Sequence, residues 1–581
     1  MQQASSPAGS PACETLVDLL RARAEADPGF PAYTFLRSGE RGEAVLSYGR
    51  LDQRARAIAA ALQGLSAAGG PVILLFQSSS EFLCAFFGCL YAGSYPVPVT
   101  PPRPGRSLER LVAVAAQSAA RIILTEQGYQ ARLSAAFPES GRFQWLTPAE
   151  TGSHGEDRWA EPDIDAGSIA FVQFTSGSTA SPRGVMVRHG NVLDNLAVVK
   201  QAFAHTPDST VVGWLPFTHD MGLVGNLLQP LYAGSRCVVL APETFLMRPV
   251  TWLEAITRFR AETSGGPNFA YETCVRRVKP EDREKLDLSS WKLAFNGAEP
   301  VRCDTIQRFA EAFRDCGFRR DAFYPCYGLA EATLFVTGGS PRGPAASTTV
   351  DDKALADGRV VPSRGKGRVV MSCGRAWGAH EVVIADPVTG RRCEPDHVGE
   401  IWVRGASVAA GYWRQPSDSR RTFAACLSES GDGPYLRTGD LGFVWRGELY
   451  VTGRLGDVII VAGINHCLTD IEHTVERSHP GIRPSCCAAF AVDVAAAEQL
   501  VVVAEVEREA CFHRGKLDEG RVAELKLAIR DAVTQSHELS VRSVVLLKPG
   551  SLPRTTSGKV QRHRCRERYE NGELEGLGTQ P

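Results

Sequence analysis

An excess of charge of either sign is missing from this chain: 64 lysines and arginines stand against 65 aspartates and glutamates, a formal net charge of -1 over 581 residues. That balance removes the electrostatic footprint of a nucleic-acid binder or of a protein held to an anionic membrane surface. A long apolar run is missing too. The most hydrophobic stretch, Phe82 to Gly93 (FLCAFFGCLYAG), follows Glu81 directly and is too short to cross a bilayer, so a buried core helix is expected there. The opening MQQASSPAGSPACETL has neither a basic n-region nor an apolar h-region, which argues against a secretory signal and predicts a frayed tail over residues 1–14. The 16 cysteines include no C-x-x-C pair and no His/Cys cluster at zinc spacing. Scattered thiols of this kind belong to a reducing compartment, and a cytoplasmic enzyme is expected.

The length calls for two or more domains. Strand-like runs at Pro71 to Phe76, Arg121 to Leu124, Ile169 to Phe174, Thr210 to Leu215, Arg236 to Leu240 and Trp291 to Ala294 alternate with amphipathic stretches. That alternation predicts α/β architecture with largely parallel sheets. From about Arg364 the texture shifts to short β-rich pieces, among them Glu381 to Ala385, Gly399 to Arg404 and Glu448 to Thr452, which read as a smaller β subdomain. After GRLGD, Gly453 to Asp457, a further segment with its own helix (Asp470 to Ser478) and strand (Leu500 to Val506) reads as a separate α+β domain. The expected division is residues 15–456, 457–568 and a polar tail, 569–581.

Four short constellations carry chemistry. The first is FTSGSTASPRGV, Phe174 to Val185, where Thr175, Ser176, Gly177, Ser178 and Thr179 follow a buried strand and offer hydroxyls and backbone N–H groups almost free of side-chain bulk. Arg183 adds a permanent positive charge. Such a loop can wrap a triphosphate, although alone it has the composition of a linker. It is not a Walker loop, because the Gly-Lys-Ser/Thr ending is absent. The second pairs FNGAE (Asn296, Gly297, Ala298) with YGLAE (Tyr327, Gly328, Glu331): a ring to stack on a base, small residues for close backbone approach, and a carboxylate for a divalent cation beside phosphates. The third is YLRTGDLG, in which Asp440 is read as a turn carboxylate able to accept two hydrogen bonds from a ribose diol, with Arg454 just downstream. The fourth is LPRTTSGKVQR, where Lys559 sits in a loop that Pro553 keeps from being helical.

In this order and at these separations the four segments resemble the adenylate-forming enzymes: acyl-CoA synthetases, peptide synthetase adenylation domains and luciferases. The resemblance runs from about Thr15 to Arg568. It implies a large N-terminal domain of two parallel-type α/β subdomains plus a β-rich subdomain, and a small mobile α+β C-terminal domain. It further implies that Thr175 to Thr179 and Arg183 hold the phosphates of ATP, Tyr327, Gly328 and the Asn296–Ala298 segment the adenine, Glu331 the magnesium ion, Asp440 and Arg454 the ribose. Lys559 would bridge the substrate carboxylate and the α-phosphate, and Asp457 would be the hinge of the C-terminal domain.

Within that superfamily, GWLPFTHDMGLVGNLLQPLYAG (Gly213 to Gly234) and YGLAEATLFVTGG look most like the fatty acyl-AMP ligases. The likeness puts His219 near the acyl carboxylate and the following apolar residues, Leu223 and Leu227 with Leu334, along a lipid tunnel. A stretch of roughly twenty residues beyond a short connection, matching over Val350 to Gly374, resembles the insertion of those ligases, which is associated with restraining the C-terminal domain. On that resemblance the acceptor is the phosphopantetheine thiol of a separate acyl carrier protein rather than coenzyme A. A fatty acyl-CoA synthetase and a catalytically silent lipid- or nucleotide-binding protein on the same fold are the alternatives. The chain departs from the superfamily pattern at Ala180 and Arg183, where glycine and lysine are usual, and at Ala330, where threonine is common.

Overall fold

The computed structural model describes residues 13–36, 42–65, 67–77, 79–102, 108–131, 137, 140–149, 151, 156–175, 182–340, 343–461, 464–494, 497–513, 516–555 and 558–578. The architecture is mixed α/β. In a nine-stranded sheet, Tyr33–Leu36, Arg236–Leu240, Thr210–Gly213, Thr263–Gly266, Leu293–Asn296 and Phe323–Gly328 run parallel, and antiparallel strands finish both edges. A second sheet orders Tyr95–Val99, Pro71–Leu75, Ile122–Thr125 and Gln144–Leu146, all parallel. Their short, unbroken apolar runs suit strands covered on both faces. The apolar stretch expected as a core helix is one, Ser80–Tyr91, and Gly88 lets it approach the neighbouring Tyr48–Gly64 helix, since a Cβ there would lie 2.4 Å from Ile58 Cγ2.

The strand Ile169–Thr175 departs from the parallel expectation and pairs antiparallel with Arg183–Arg188 in a two-stranded ribbon. The intervening residues are too few for a crossover to a parallel partner, which takes a dozen or more. The helix His189–Ala202 follows. Asp220 then caps Met221–Leu228, a π-helical segment whose first turn is so tight that a Cβ on Gly222 would meet the Pro216 carbonyl oxygen at 2.0 Å.

In the β-rich subdomain Glu381–Ala385, Gly399–Arg404, Leu436–Trp445 and Glu448–Arg454 form an antiparallel sheet. The Gly339–Cys373 segment folds onto it: Ser347–Val350 pairs with Arg368–Met371 around a short helix, Asp352–Ala356, and Val350, Val360 and Val370 pack against Phe443 and Tyr450. In the C-terminal part, Ile482–Val494, Ala497–Val506 and Val541–Leu547 form a sheet that shares a core with the helices Leu468–Ser478 and Glu519–His537. Ion pairs tie this domain to the larger one: Arg302 to Glu476 at 2.6 Å, Arg276 to Glu507 at 3.6 Å, and Arg368 of the inserted sheet to Asp470. Among the described residues no helix is long and apolar enough to cross a membrane.

Candidate active site

The C-terminal ends of the parallel strands, the β-rich sheet and the small domain enclose a cleft of about 2410 Å³. That exceeds an ordinary small-molecule pocket and has room for a nucleotide together with an extended chain. Thr175, His219, Gly297, Ala298, Tyr327, Gly328, Glu331, Asp440, Arg454, Asp457 and Lys559 all line it, although they are scattered over nearly 400 positions of sequence. Ser176, Gly177, Ser178 and Thr179 lie outside the described residues.

Asp440 corrects the sequence reading. It lies inside the Leu436–Trp445 strand and not in a turn, opposite Arg454 across the ladder. Its Oδ1 accepts from Arg454 Nε at 2.6 Å and its Oδ2 from the Tyr327 hydroxyl at 2.7 Å. A carboxylate has about four acceptor positions, so two remain for a diol. The charge of Asp440 raises the pKa of Arg454, against the opposing effect of burial, while burial raises that of Tyr327.

Glu331 lies within a short turn, Ala330–Ala332, after the Phe323–Gly328 strand and accepts from the Tyr412 hydroxyl at 3.0 Å; burial raises its pKa. Among the described residues no three His, Cys, Asp or Glu side chains gather as a cation site. Magnesium beside a nucleotide needs only one or two carboxylates because phosphate oxygens complete the shell, so a single cleft carboxylate fits it. Arg183 stands behind this point, its guanidinium 5.3 Å from the centre of the Tyr412 ring, and does not itself line the cleft. Asn296 is a second departure: it is fully buried, its Nδ2 donates to Asn268 Oδ1 at 3.5 Å, and it lies behind the cleft wall. Gly297 is placed as expected for close approach, since a Cβ would sit 2.8 Å from the Cys326 carbonyl oxygen, and Ala298 takes a left-handed φ of 66°. At Gly328 the missing side chain answers to the fold, because a Cβ would meet the Leu334 carbonyl oxygen at 1.8 Å.

His219 Nδ1 lies 2.5 Å from Asp220 Oδ1, and Asp220 also accepts from the Met221 amide at 2.8 Å. Burial pushes the Asp220 carboxyl upward, but His219, Lys559 and the Met221 amide outweigh it and leave the pKa lowered. Lys559 reaches the same region from the small domain. Loss of water lowers its pKa, opposed by Asp220, Glu299 and Asp440. Its loop is seated by Gly558, whose φ of 88° brings it within 3.2 Å of the Phe269 ring, measured from an added Cβ. Arg562 then anchors the loop's far end, donating to Glu472 at 2.6 and 2.7 Å and to Asp457 at 2.5 Å.

An apolar arm of the cleft runs between the His189–Ala202 helix and the nine-stranded sheet, past Phe295, Leu334, Phe335, Phe203 and Val199 to Val211 and Thr263. Met221 and Gly225 of the π-helical segment line the cleft, whereas Leu223 and Leu227, expected along the tunnel, are fully buried in the core on its other side. Tyr412, Glu476 and Arg302 escaped the sequence reading. Each acts through a partner far away in sequence, and no local pattern marks it.

Comparison with known proteins follows the same outline. Residues 20–413 match the AMP-binding enzyme family and residues 456–578 the AMP domain of the Disco-interacting protein 2-like family. The chain is 45% identical over 577 residues to the medium-chain-fatty-acid–[acyl-carrier-protein] ligase JamA of Moorena producens, covering 97% of this chain and 96% of that one. A fatty acyl-adenylate ligase of L. pneumophila, solved in complex with acyl adenylate and pyrophosphate, superposes with a TM-score of 0.76 at 39% identity over 96% of this chain and 97% of that one. A structure from a study of fatty acyl-adenylate ligases of E. coli and L. pneumophila gives a TM-score of 0.86 at 33% identity, over 97% and 99%. The chain therefore belongs to the AMP-binding enzymes, within their fatty acyl-AMP ligases.

Proposed function

We propose that this enzyme activates a medium- or long-chain fatty acid with ATP to acyl-AMP and passes the acyl group to the phosphopantetheine thiol of a separate acyl carrier protein. The observation that carries the reading is the meeting, in one cleft, of Lys559, Asp440 and Glu331 with an apolar arm between helix and sheet. In the first step a carboxylate oxygen attacks the α-phosphorus of ATP, the bond to the β-phosphate oxygen breaks, and pyrophosphate leaves. Both reactants are anions, so positioning and offset of charge supply most of the acceleration. Lys559 is the cation available for the carboxylate and the α-phosphate, and its lowered pKa reflects a dry site in which its charge acts strongly. Tyr327, Gly297 and Ala298 are suited to adenine, Asp440 and Arg454 to the ribose, and Thr175 to Thr179 with Arg183 to the phosphates. Glu331 would hold magnesium, which when bound offsets phosphate charge.

In the second step the carrier's thiolate attacks the acyl carbonyl and AMP departs. Room for that thiol requires the Lys559 loop to withdraw. Asp457 is the proposed hinge, and its bond to Arg562 couples the hinge to the loop. The inserted sheet bears on the same movement because Arg368 grips Asp470 and also donates to the Thr452 carbonyl at 3.3 Å. Such a hold favours a dedicated carrier over freely diffusing coenzyme A.

The test follows α-phosphate-labelled ATP through a panel of fatty acids with magnesium, with and without coenzyme A, and with a phosphopantetheinylated carrier protein. Acyl-AMP that persists beside coenzyme A and is consumed by the carrier is the expected result. Conversion to acyl-CoA would select the synthetase, and no adenylate with any acid would overturn the activity.

A further inference from the structure

The apolar arm of the cleft ends on polar groups. Val211 and Thr263 are partners across neighbouring parallel strands, and Thr263's other partner, Leu293, stands two residues before Phe295, so these side chains share one face of the sheet. Thr263 opens its strand and is level with Leu293, four residues before Gly297, which puts it roughly 13 Å below Gly297 at the usual rise of a parallel strand. His205 meets it there, from the turn after the His189–Ala202 helix. Both side chains are buried and both line the cleft, with His205 Nε2 3.1 Å from Thr263 Oγ1. The Phe203 ring lies 5.5 Å from the His205 ring and 6.1 Å from that of Phe295, so apolar rings lead down to the polar pair.

The neighbours fix the hydrogen-bond roles at this end. Gln229 gives its amide nitrogen to the Leu196 carbonyl at 3.1 Å and takes the Lys200 amide on its oxygen at 3.3 Å, which turns that oxygen toward His205 Nδ1. Nδ1 therefore carries the ring proton, and Nε2 accepts from the Thr263 hydroxyl. Thr263 Oγ1 then keeps a lone pair that no donor among the described residues fills. Burial lowers the pKa of His205 to about 4, so the pair is neutral near pH 7. A terminal methyl group brought here leaves the lone pair dry and unmatched, and a terminal carboxylate or ammonium finds no counter-charge. A hydroxyl donates to it at no such cost.

We propose that Thr263, oriented by His205, receives a hydroxyl group at the far end of the acyl chain, so that the acid activated is a medium-length hydroxy acid with its hydroxyl on or beside the last carbon. The depth of Thr263 below Gly297 assigns it to the tail of the chain and not to the carboxylate end, where Lys559 and His219 stand. Thr263 is the specificity-determining residue, and His205 is a positioning residue that acts through it. A site whose polar atom is left unmatched by the wrong substrate discriminates more sharply than one that only measures length.

The inference rests on the cleft being an acyl-AMP site, and the experiment separates the two. Octanoic, decanoic and dodecanoic acids are compared with their derivatives hydroxylated at the last carbon, at the carbon before it, and at the third carbon, by kcat/KM for acyl-AMP formation and by calorimetric titration of each acid into the protein. The wild-type enzyme should favour a far-end hydroxy acid over the unsubstituted acid of the same length by about tenfold, the worth of one hydrogen bond made rather than left unmade. Thr263→Val, which removes the hydroxyl and keeps the shape, should reverse that ratio, and Thr263→Ser should restore it. His205→Phe should lower the ratio partway while the KM for ATP stays put. If Thr263→Val fails to fold, the wild-type ranking decides alone. Preference for unsubstituted or third-carbon hydroxy acids in the wild type, or an unchanged ratio in Thr263→Val, overturns the inference and leaves the activity standing. Should no acid yield acyl-AMP while far-end hydroxy acids still bind more tightly, the proposed activity falls and this site stands; neither adenylate nor a binding preference overturns both.

Discussion

Replacing Arg302 with methionine tests whether the arrangement that brings Lys559 into the cleft is held by a single buried ion pair. Arg302 Nη1 lies 2.6 Å from Glu476 Oε2, with the two side chains 24% and 6% exposed. At that separation the attraction is about 6 kcal/mol for an effective dielectric of about 20, before desolvation is subtracted. Removing one partner of a buried pair commonly costs about 3–5 kcal/mol, because the other charge is stranded. Here the stranded Glu476 has two escapes. Burial already raises its carboxyl pKa, so it can take up a proton, and the small domain can swing out and wet it. The penalty that reaches catalysis is therefore nearer about 2–3 kcal/mol, which slows acyl-AMP formation roughly 30- to 150-fold. The assay is single-turnover formation of hydroxylamine-trapped acyl-AMP, with carrier acylation from purified acyl-AMP as the control, which should not slow. The double variant Arg302→Met/Glu476→Met, which strands nothing, should regain most of the loss. A single variant within threefold of wild type, or a double variant slower than either single one, would refute the reasoning.

Lys559→Ala is expected to lower adenylation by about 100-fold or more while ATP binding, followed by calorimetry, is retained; unaltered acyl-AMP formation would remove its assigned role. Deleting Val350 to Arg368 should raise turnover of acyl-AMP to acyl-CoA, and no change in coenzyme A use would detach the inserted sheet from acceptor choice. Gly328→Ala, whose Cβ would lie 1.8 Å from the Leu334 carbonyl oxygen, should cost both stability and activity, seen as a lower melting temperature and loss of exchange. His189 supplies a pH test. Its Nδ1 accepts from the Leu16 amide at 3.1 Å, and burial lowers its pKa from 6.5 to about 4. A lowered pKa gives stability that is complete above pH 6.5 and is lost as pH falls through about 4, worth roughly 3 kcal/mol. The melting temperature should fall across that window, and His189→Gln should flatten the fall even though it is less stable at pH 7.

Much of this fold was legible because its strands announce themselves as short apolar runs: Arg236–Leu240, Glu381–Ala385 and Gly399–Arg404 stand where the residues predict them. What local pattern could not convey was pairing. Ile169–Thr175 reads as a buried strand whether its neighbour is parallel or antiparallel, and only the short return to Arg183 decides the matter. Asp440 reads from the sequence as a turn residue, yet Gly439 before it takes its φ of 71° within a continuous strand. Asn296 shares a motif with Gly297, but the alternation of a strand sends its side chain away from the cleft that the next residue lines. The site was visible through groups that must act on a ligand. Those that act on one another, Tyr412 on Glu331 and Arg562 on Asp457, became visible only when separate segments met.

The π-helical turn Met221–Leu228 determines how the wall it builds can change over evolutionary time. A wider turn of this kind contains one residue more than the α-helical one it replaces, so its register depends on chain length as much as on residue type. Point substitutions would leave Met221 and Gly225 toward the cleft and Leu223 and Leu227 toward the core. Loss of one residue would let the segment relax into an α-helix and turn a different set of side chains toward the cleft. The shape of this wall is more readily rewritten by insertions and deletions than by exchange of one side chain for another.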